Sequence, residues 1–214
     1  QARMHRDIQE FPNMYFYDGK LKIFDESDWQ ASGESIFNAN SNDKLEKMLA
    51  GSRMIFINTP REFRTKIHQQ EAELAGDFID MIRKKYGDSF SGESCGVITP
   101  FRAQCSEIGR RLDPELRKLV MIDTVERFQG SERDVIIISF AVNHSYQLKS
   151  LRSVARFGGR LIDKKLNVAL TRAKKHLVIL GNAEILGKSV IHRQLIDFIK
   201  EKGGYFESAD NGKI

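Results

Sequence analysis

The sequence predicts an α/β fold, a parallel sheet covered by helices on both faces. Five short apolar runs recur along the chain, and stretches of helical period separate them. Four of the five are nearly continuous and β-branched, as strands buried on both faces must be. The runs are RMIFIN at 53–58, CGVIT at 95–99, LVMID at 119–123, DVIIISFAV at 134–142 and HLVILGN at 176–182. Such alternation of strand and helix patterns marks a doubly wound sheet.

In chain order, residues 18–50 are polar and irregular and read as a connector with room for a hairpin. They fall within a leading segment, 1–52, ahead of a single sheet-building region, 53–214. After the first run, Leu74, Ala75, Phe78, Ile79, Ile82 and Tyr86 predict a helix that Gly87 ends. After the second, Ala103, Ile108 and Leu112 predict another. Residues 143–164 are basic, lack a clear period and read as a surface loop. Leu166, Ala169, Leu170 and Ala173 then share one face, predicting a helix that leads into the fifth run, with Arg172 off the apolar stripe. Beyond that run Ser189 stands where a helix cap belongs, ahead of Ile191, Leu195, Phe198 and Ile199, and Gly203-Gly204 stop the helix.

At 214 residues the chain can bury a proper core, and 41% apolar with 29% charged residues suits a globular protein. No stretch approaches the roughly 18 uninterrupted apolar residues of a membrane span, so no membrane partner is expected. The opening QARMHRDIQEF is polar and reads as no secretory signal. Cys95 and Cys105 form no CxxC pair and predict free thiols in a reducing, intracellular compartment. A net charge of +5 permits an anionic partner without requiring one. In open parallel sheets ligands bind beyond the carboxyl ends of the strands, which places ITPFRAQ, DTVERFQGSE and GNAEILGKS on the expected functional edge.

GNAEILGKS comes near a phosphate-binding loop but misses it. That loop needs four residues between its glycines so that the backbone amides close around a phosphate. Five separate Gly181 from Gly187, so Gly187 and Ser189 read as a turn and a cap.

The remaining motifs gain weight from their order. TVERFQGSERDVIIISF resembles motif V of superfamily 1 helicases, KLNVALTRAKKHLVILGN resembles motif VI, ITPFRAQ resembles motif IV, and QARMH resembles the Q-[YF]-R-M-H signature. Over nearly the whole chain the likeness is to the second RecA-like motor domain of the subgroup that includes the nonsense-mediated-decay RNA helicase and the replication helicase-nucleases. That resemblance implies a RecA-like sheet lacking its own P-loop. Because the chain opens inside a motif, it is expected to be a piece of a longer protein.

The resemblance also implies roles. Arg172 matches the arginine finger that reaches the γ-phosphate, and Arg3 a second phosphate-contacting arginine. Gly130 and Glu132 match the backbone approach to the nucleotide and the carboxylate on the ribose hydroxyls. Gln129 matches a link between the nucleotide and nucleic-acid sides. Thr99 with Pro100, and Thr124, match positions that hold a single-stranded backbone, with Arg102 and Gln104 as phosphate contacts beside them. Two positions depart from the pattern: Ala2 stands where an aromatic residue stacks on adenine, and Asn143 where an arginine is usual. Arg152, Arg156 and Arg160 offer nearby charge in compensation. Lys174 and Lys175 read as cations favoured by the end of a helix dipole.

The implied cofactors are ATP and Mg²⁺, with Mg²⁺ held by a first RecA-like domain of the same parent chain. The implied partners are that domain and single-stranded DNA or RNA. A non-catalytic nucleic-acid-binding module that kept the fold and lost the motor remains the alternative at this stage, as does, more distantly, a small nucleotide-binding enzyme acting alone.

Overall fold

The computed structural model describes residues 4–21, 35–151, 153–157 and 160–208. Its strands are β1 (Met54–Asn58), β2 (Cys95–Ile98), β3 (Met121–Asp123), β4 (Arg133–Ser139), β5 (Val154–Phe157), β6 (Arg160–Asp163), β7 (Ala173–Gly181) and β8 (Tyr205–Glu207). Its helices are α1 (Arg6–Phe16), α2 (Lys44–Gly51), α3 (Gln69–Tyr86), α4 (Arg102–Arg111), α5 (Pro114–Leu119), α6 (Leu148–Leu151), α7 (Lys164–Leu170), α8 (Ala183–Leu186) and α9 (Val190–Glu201). Six strands form one all-parallel, RecA-like sheet in the order β3-β2-β4-β7-β1-β8.

The near-continuous apolar runs follow from a core on each face. Side chains alternate along a strand, so a strand covered on both sides sends every second residue to each core. Ile122, Val97, Ile137, Val178 and Ile55 stand in one row across five strands and enter the core under α3, α4 and α5. Their strand neighbours Ile136, Ile138, Leu177, Ile179 and Phe56 enter the opposite core with Ile8 and Phe11 of α1, Leu166 of α7 and Leu195 of α9.

All five apolar runs are strands of this sheet. The α3 helix ends where expected, with Gly87 at φ 53 donating to the Arg83 carbonyl. The other glycine stop is a Schellman motif: Gly203, at φ 74, donates to Lys200 O and Gly204 to Ile199 O. A Cβ on Gly204 would collide with the Met54 carbonyl oxygen, a backbone atom inside the sheet. Gly204→Ala is therefore expected to lower stability by about 1–3 kcal/mol. In thermal unfolding that is a fall of roughly 2–12 °C. An unchanged melting temperature would contradict the close approach.

Several expectations need correction. The polar connector 18–50 is not irregular throughout, because Asp43 accepts from Leu45 N and Glu46 N and starts α2. Residues 143–164 are not a bare loop: they contain α6 and an antiparallel hairpin of β5 and β6. Ala173 opens β7 rather than ending α7, and Ser189 holds the N-cap position of α9 without a side-chain cap, its hydroxyl lying 2.9 Å from His192 Nδ1 instead. The β8 strand and α1 went unseen: YFE is too short to show a period, and Pro12 interrupts an otherwise helical segment.

Candidate functional site

In a parallel sheet every strand start lies at one edge and every strand end at the other. The candidate residues divide between these edges instead of sharing the carboxyl one, which corrects the single functional edge expected from the fold class. DTVERFQGSE leaves the carboxyl end of β3 and arrives at the amino end of β4, so Thr124 and Glu132 lie on opposite edges. The helix α7 crosses likewise, with Lys165 at the carboxyl side and Arg172 just before β7.

At the amino edge, Phe128–Ser131 closes as a turn with Ser131 N donating to Phe128 O at 3.0 Å. Gly130 sits third with φ 86, the left-handed position a type II turn reserves for glycine. A Cβ there meets nothing within 4 Å, so its local requirement is conformational rather than steric. Gln129 and Gly130 are exposed, and Glu132 is half-buried. Arg172, also half-buried, reaches this turn: Nη1 donates to Ser131 O at 3.5 Å, Nε to Val168 O at 3.1 Å, and Nη2 lies 3.1 Å from Thr171 Oγ1. The backbone joins the same two segments, Arg133 N donating to Arg172 O at 3.0 Å. Its guanidinium thus shares a rim with residues 130–132 and rests there on protein oxygens, none of them a carboxylate. His5 N donates to Lys174 O at 2.7 Å, which brings the opening segment to this edge. Arg3 and Ala2 lie outside the described residues, as does Arg152.

Lys174 and Lys175 do not serve a helix dipole. Both lie in β7 and face Asp134, Lys175 Nζ at 2.8 Å from Oδ2 and Lys174 Nζ at 3.3 Å from Oδ1. Burial pushes the Asp134 carboxyl up, but the bonds from Lys175 and Tyr86 hold it below its ordinary range. The thiols are free, and burial raises Cys95 to about 12 and Cys105 to about 11, so neither is a ready nucleophile.

At the carboxyl edge, Thr99, Pro100, Val125, Glu126, Lys165 and Leu166 line one depression. Lys165 Nζ meets Glu126 at 2.9 Å. Arg102 is exposed at the start of α4, whose first turn carries no acidic residue and no side-chain cap. That leaves backbone donors and a guanidinium facing outward, a setting suited to phosphate. Thr124 is half-buried beside the depression.

Two of the expected strand contacts are internal. Thr99 is fully buried, and its hydroxyl accepts from Phe101 N at 3.5 Å. Gln104 is fully buried too: Oε1 accepts from His68 N at 2.9 Å, and Nε2 donates to His68 O and Ser139 Oγ, each at 3.0 Å. Its polar atoms are thus occupied within the fold and tie α4 to the start of α3 and to β4.

Gln104 belongs to a polar network the sequence did not reveal. Glu71, at the start of α3, is fully buried and accepts from Ser139 Oγ at 2.7 Å and from Ala141 N at 2.9 Å, with Thr59 Oγ1 at 3.4 Å. Burial pushes its carboxyl above the ordinary range against the opposing pull of His68 and these bonds. Asn143, also fully buried, accepts from Glu62 N and donates to Arg64 O and Ile67 O. Single buried polar residues leave no periodic trace. The one signal available was that Asn143 departs from the motif V pattern.

Comparison with known proteins places the chain among helicases. An AAA domain family, AAA_12, matches residues 1–184. Helicase SEN1 of Saccharomyces cerevisiae is 29% identical over 212 residues, covering 94% of this chain and 9% of its own. The uncharacterized ATP-dependent helicase MJ0104 of Methanocaldococcus jannaschii is 31% identical, covering 94% and 28%. Regulator of nonsense transcripts 1 of Dictyostelium discoideum is 31% identical, covering 98% and 15%. The chain therefore spans less than a third of each of these relatives.

Proposed function

The chain belongs to the AAA_12 family, among superfamily 1 helicases of the UPF1-like subgroup, and from that premise we propose that it is the second RecA-like motor domain of an ATP-dependent helicase. The amino edge is the far wall of a split ATP pocket, and the carboxyl edge is part of a single-strand track. One observation carries this reading: the Arg172 guanidinium and the Gln129–Glu132 turn share one rim, joined through Ser131 O.

At that rim Arg172 leaves its resting oxygens and meets charge developing on the transferred phosphoryl group. Its planar fork suits two phosphate oxygens at once. Glu132 holds the ribose hydroxyls, Gly130 lets the backbone run beside the nucleotide, and Arg3 adds a second phosphate contact. ATP closes the pocket against a first RecA-like domain of the parent chain. That domain would hold Mg²⁺, as the family resemblance implies. On the opposite edge Pro100, Arg102 and Thr124 meet the strand backbone, with Thr99 and Gln104 supporting them from inside.

The helix α7 connects the two edges. Its seven residues span about 10 Å, so a push on Arg172 is delivered at Lys165, beside the depression. Domain closure over ATP thereby changes the strand contacts.

Because this is half a pocket, the isolated 214 residues are expected to show no ATP hydrolysis above a blank, with or without single strands. A coupled-enzyme assay checks this, and turnover that Arg172→Ala abolishes would overturn the split-pocket reading. A second reading, a strand-binding module without motor activity, draws on Ala2, whose methyl offers adenine no aromatic face. Strand-stimulated ATP hydrolysis by the full-length protein separates the two.

A further inference from the structure

The loop 59–68, between β1 and α3, carries PREFRTK with Phe63 at its centre. Phe63 is 102% exposed, as open as a phenylalanine in an extended peptide. A loose loop would make that unremarkable. This one is pinned on both sides of the ring. Asn143 Oδ1 accepts from Glu62 N at 2.9 Å, and Asn143 Nδ2 donates to Arg64 O at 2.8 Å and Ile67 O at 3.0 Å. The Glu62 carboxylate accepts from Gln69 N and Gln70 N at the start of α3. His68 Nε2 donates to Pro60 O at 2.8 Å. Lys66 is held at φ 63, a left-handed conformation that costs a lysine something and persists only where its surroundings impose it.

The loop also follows the carboxyl end of β1 and is tied to the strand track. His68 bonds to Gln104, in the first turn of the helix that follows Thr99 and Pro100. Arg61, Arg64 and Lys66 are all exposed, and none has an ion pair among the described residues. An aromatic ring fixed in the open among three cations, at the edge assigned to the strand, has the composition of a single-strand stacking platform. Phosphates meet the cations while a base covers the ring, and any base serves.

We propose that Phe63 stacks on a base of the bound single strand, with Arg61, Arg64 and Lys66 neutralising the flanking phosphates. The proposal rests on the strand-binding reading above and adds a subsite to it. Asn143 and Glu62 are positioning residues that keep the ring outward before the strand arrives.

The test uses the full-length protein and fluorescein-labelled homopolymeric single strands, read by anisotropy. Phe63→Ala is expected to weaken binding about 5- to 150-fold, the range for one base–aromatic stack, while Phe63→Trp keeps affinity. Because the ring touches nothing inside the fold, the melting temperature stays unchanged. Removing the base at one nucleotide position should weaken the wild type as much as Phe63→Ala does and add nothing to that variant. Arg64→Gln should instead flatten the logarithmic salt dependence by about 0.7 per lost phosphate contact, which Phe63→Ala leaves alone. If the wild type binds single strands and Phe63→Ala binds equally well, the stacking proposal is overturned and the ring is left to a protein partner. Should the wild type bind no single strand, the strand-binding reading falls and this proposal with it.

Discussion

Arg172→Ala in the full-length protein is expected to slow ATP turnover by about 10³–10⁵-fold, the range for loss of an arginine finger. Single-strand affinity should remain at its wild-type value. The separation follows from geometry, since Arg172 stands at the amino edge and the proposed strand contacts at the carboxyl edge, about 10 Å away along α7. Arg172→Lys should recover little, because an ammonium cannot reproduce the planar fork. Both variants give up resting bonds to Val168 O and Ser131 O, a stability loss of about 1 kcal/mol, too small to unfold the domain. Steady-state hydrolysis and anisotropy on the same preparations check the result. Equal loss of hydrolysis and binding would assign Arg172 to the scaffold.

The second large effect lies in the interior. Glu71→Ala removes the acceptor for Ser139 Oγ and Ala141 N, leaving Ala141 N buried without a partner and Ser139 Oγ with only its bond from Gln104 Nε2. A buried donor left unpaired, together with the cavity left by the lost side chain, typically costs about 3–5 kcal/mol. For a chain of this size that is roughly 6–20 °C in melting temperature. Glu71→Gln keeps an acceptor oxygen and should stay near wild type. The pair also gives a pH signature. Burial raises the Glu71 pKa above its ordinary 4.5, so as pH climbs past 4.5 the unfolded chain ionises first and gains relative to the fold. Wild type should therefore lose stability between pH 4.5 and the raised value, and Glu71→Gln should lack that component. Urea midpoints across the range measure it. A steeper pH dependence in Glu71→Gln would reverse the assigned direction.

The fold was legible because burial on both faces imposes a pattern. Ile136 and Ile138 serve one core while Val135 and Ile137 serve the other, and no polar residue interrupts them. Glycine stops were equally plain, since only the left-handed conformation at Gly87 and Gly203 ends those helices so sharply. The short strand β8 and the proline-bearing α1 give no such periodicity. At the site, the motif pattern located Arg172 and the Gln129–Glu132 turn, which the fold brings to one rim. It did not reveal that the Thr99 and Gln104 side chains are buried, because a motif says a position matters without saying whether its side chain faces outward or into the core. The fold class misled in one respect. It directed attention to the carboxyl edge, whereas Arg172 and the Gln129–Glu132 turn meet at the amino edge. Phe63 was invisible because a lone phenylalanine between polar residues looks the same in sequence whether packed or bare.

If the proposed function holds, the amino edge supplies positive charge to a triphosphate anchored on another domain. The most direct measurement is a structure of the full-length protein with ADP and a fluoride mimic of the transferred phosphoryl group. The Arg172 guanidinium should be released from Val168 O and Ser131 O and lie within hydrogen-bonding distance of the fluoride, with the Gln129–Glu132 turn bordering the nucleotide. A guanidinium still resting on those carbonyls while the mimic is bound in a closed pocket would contradict it.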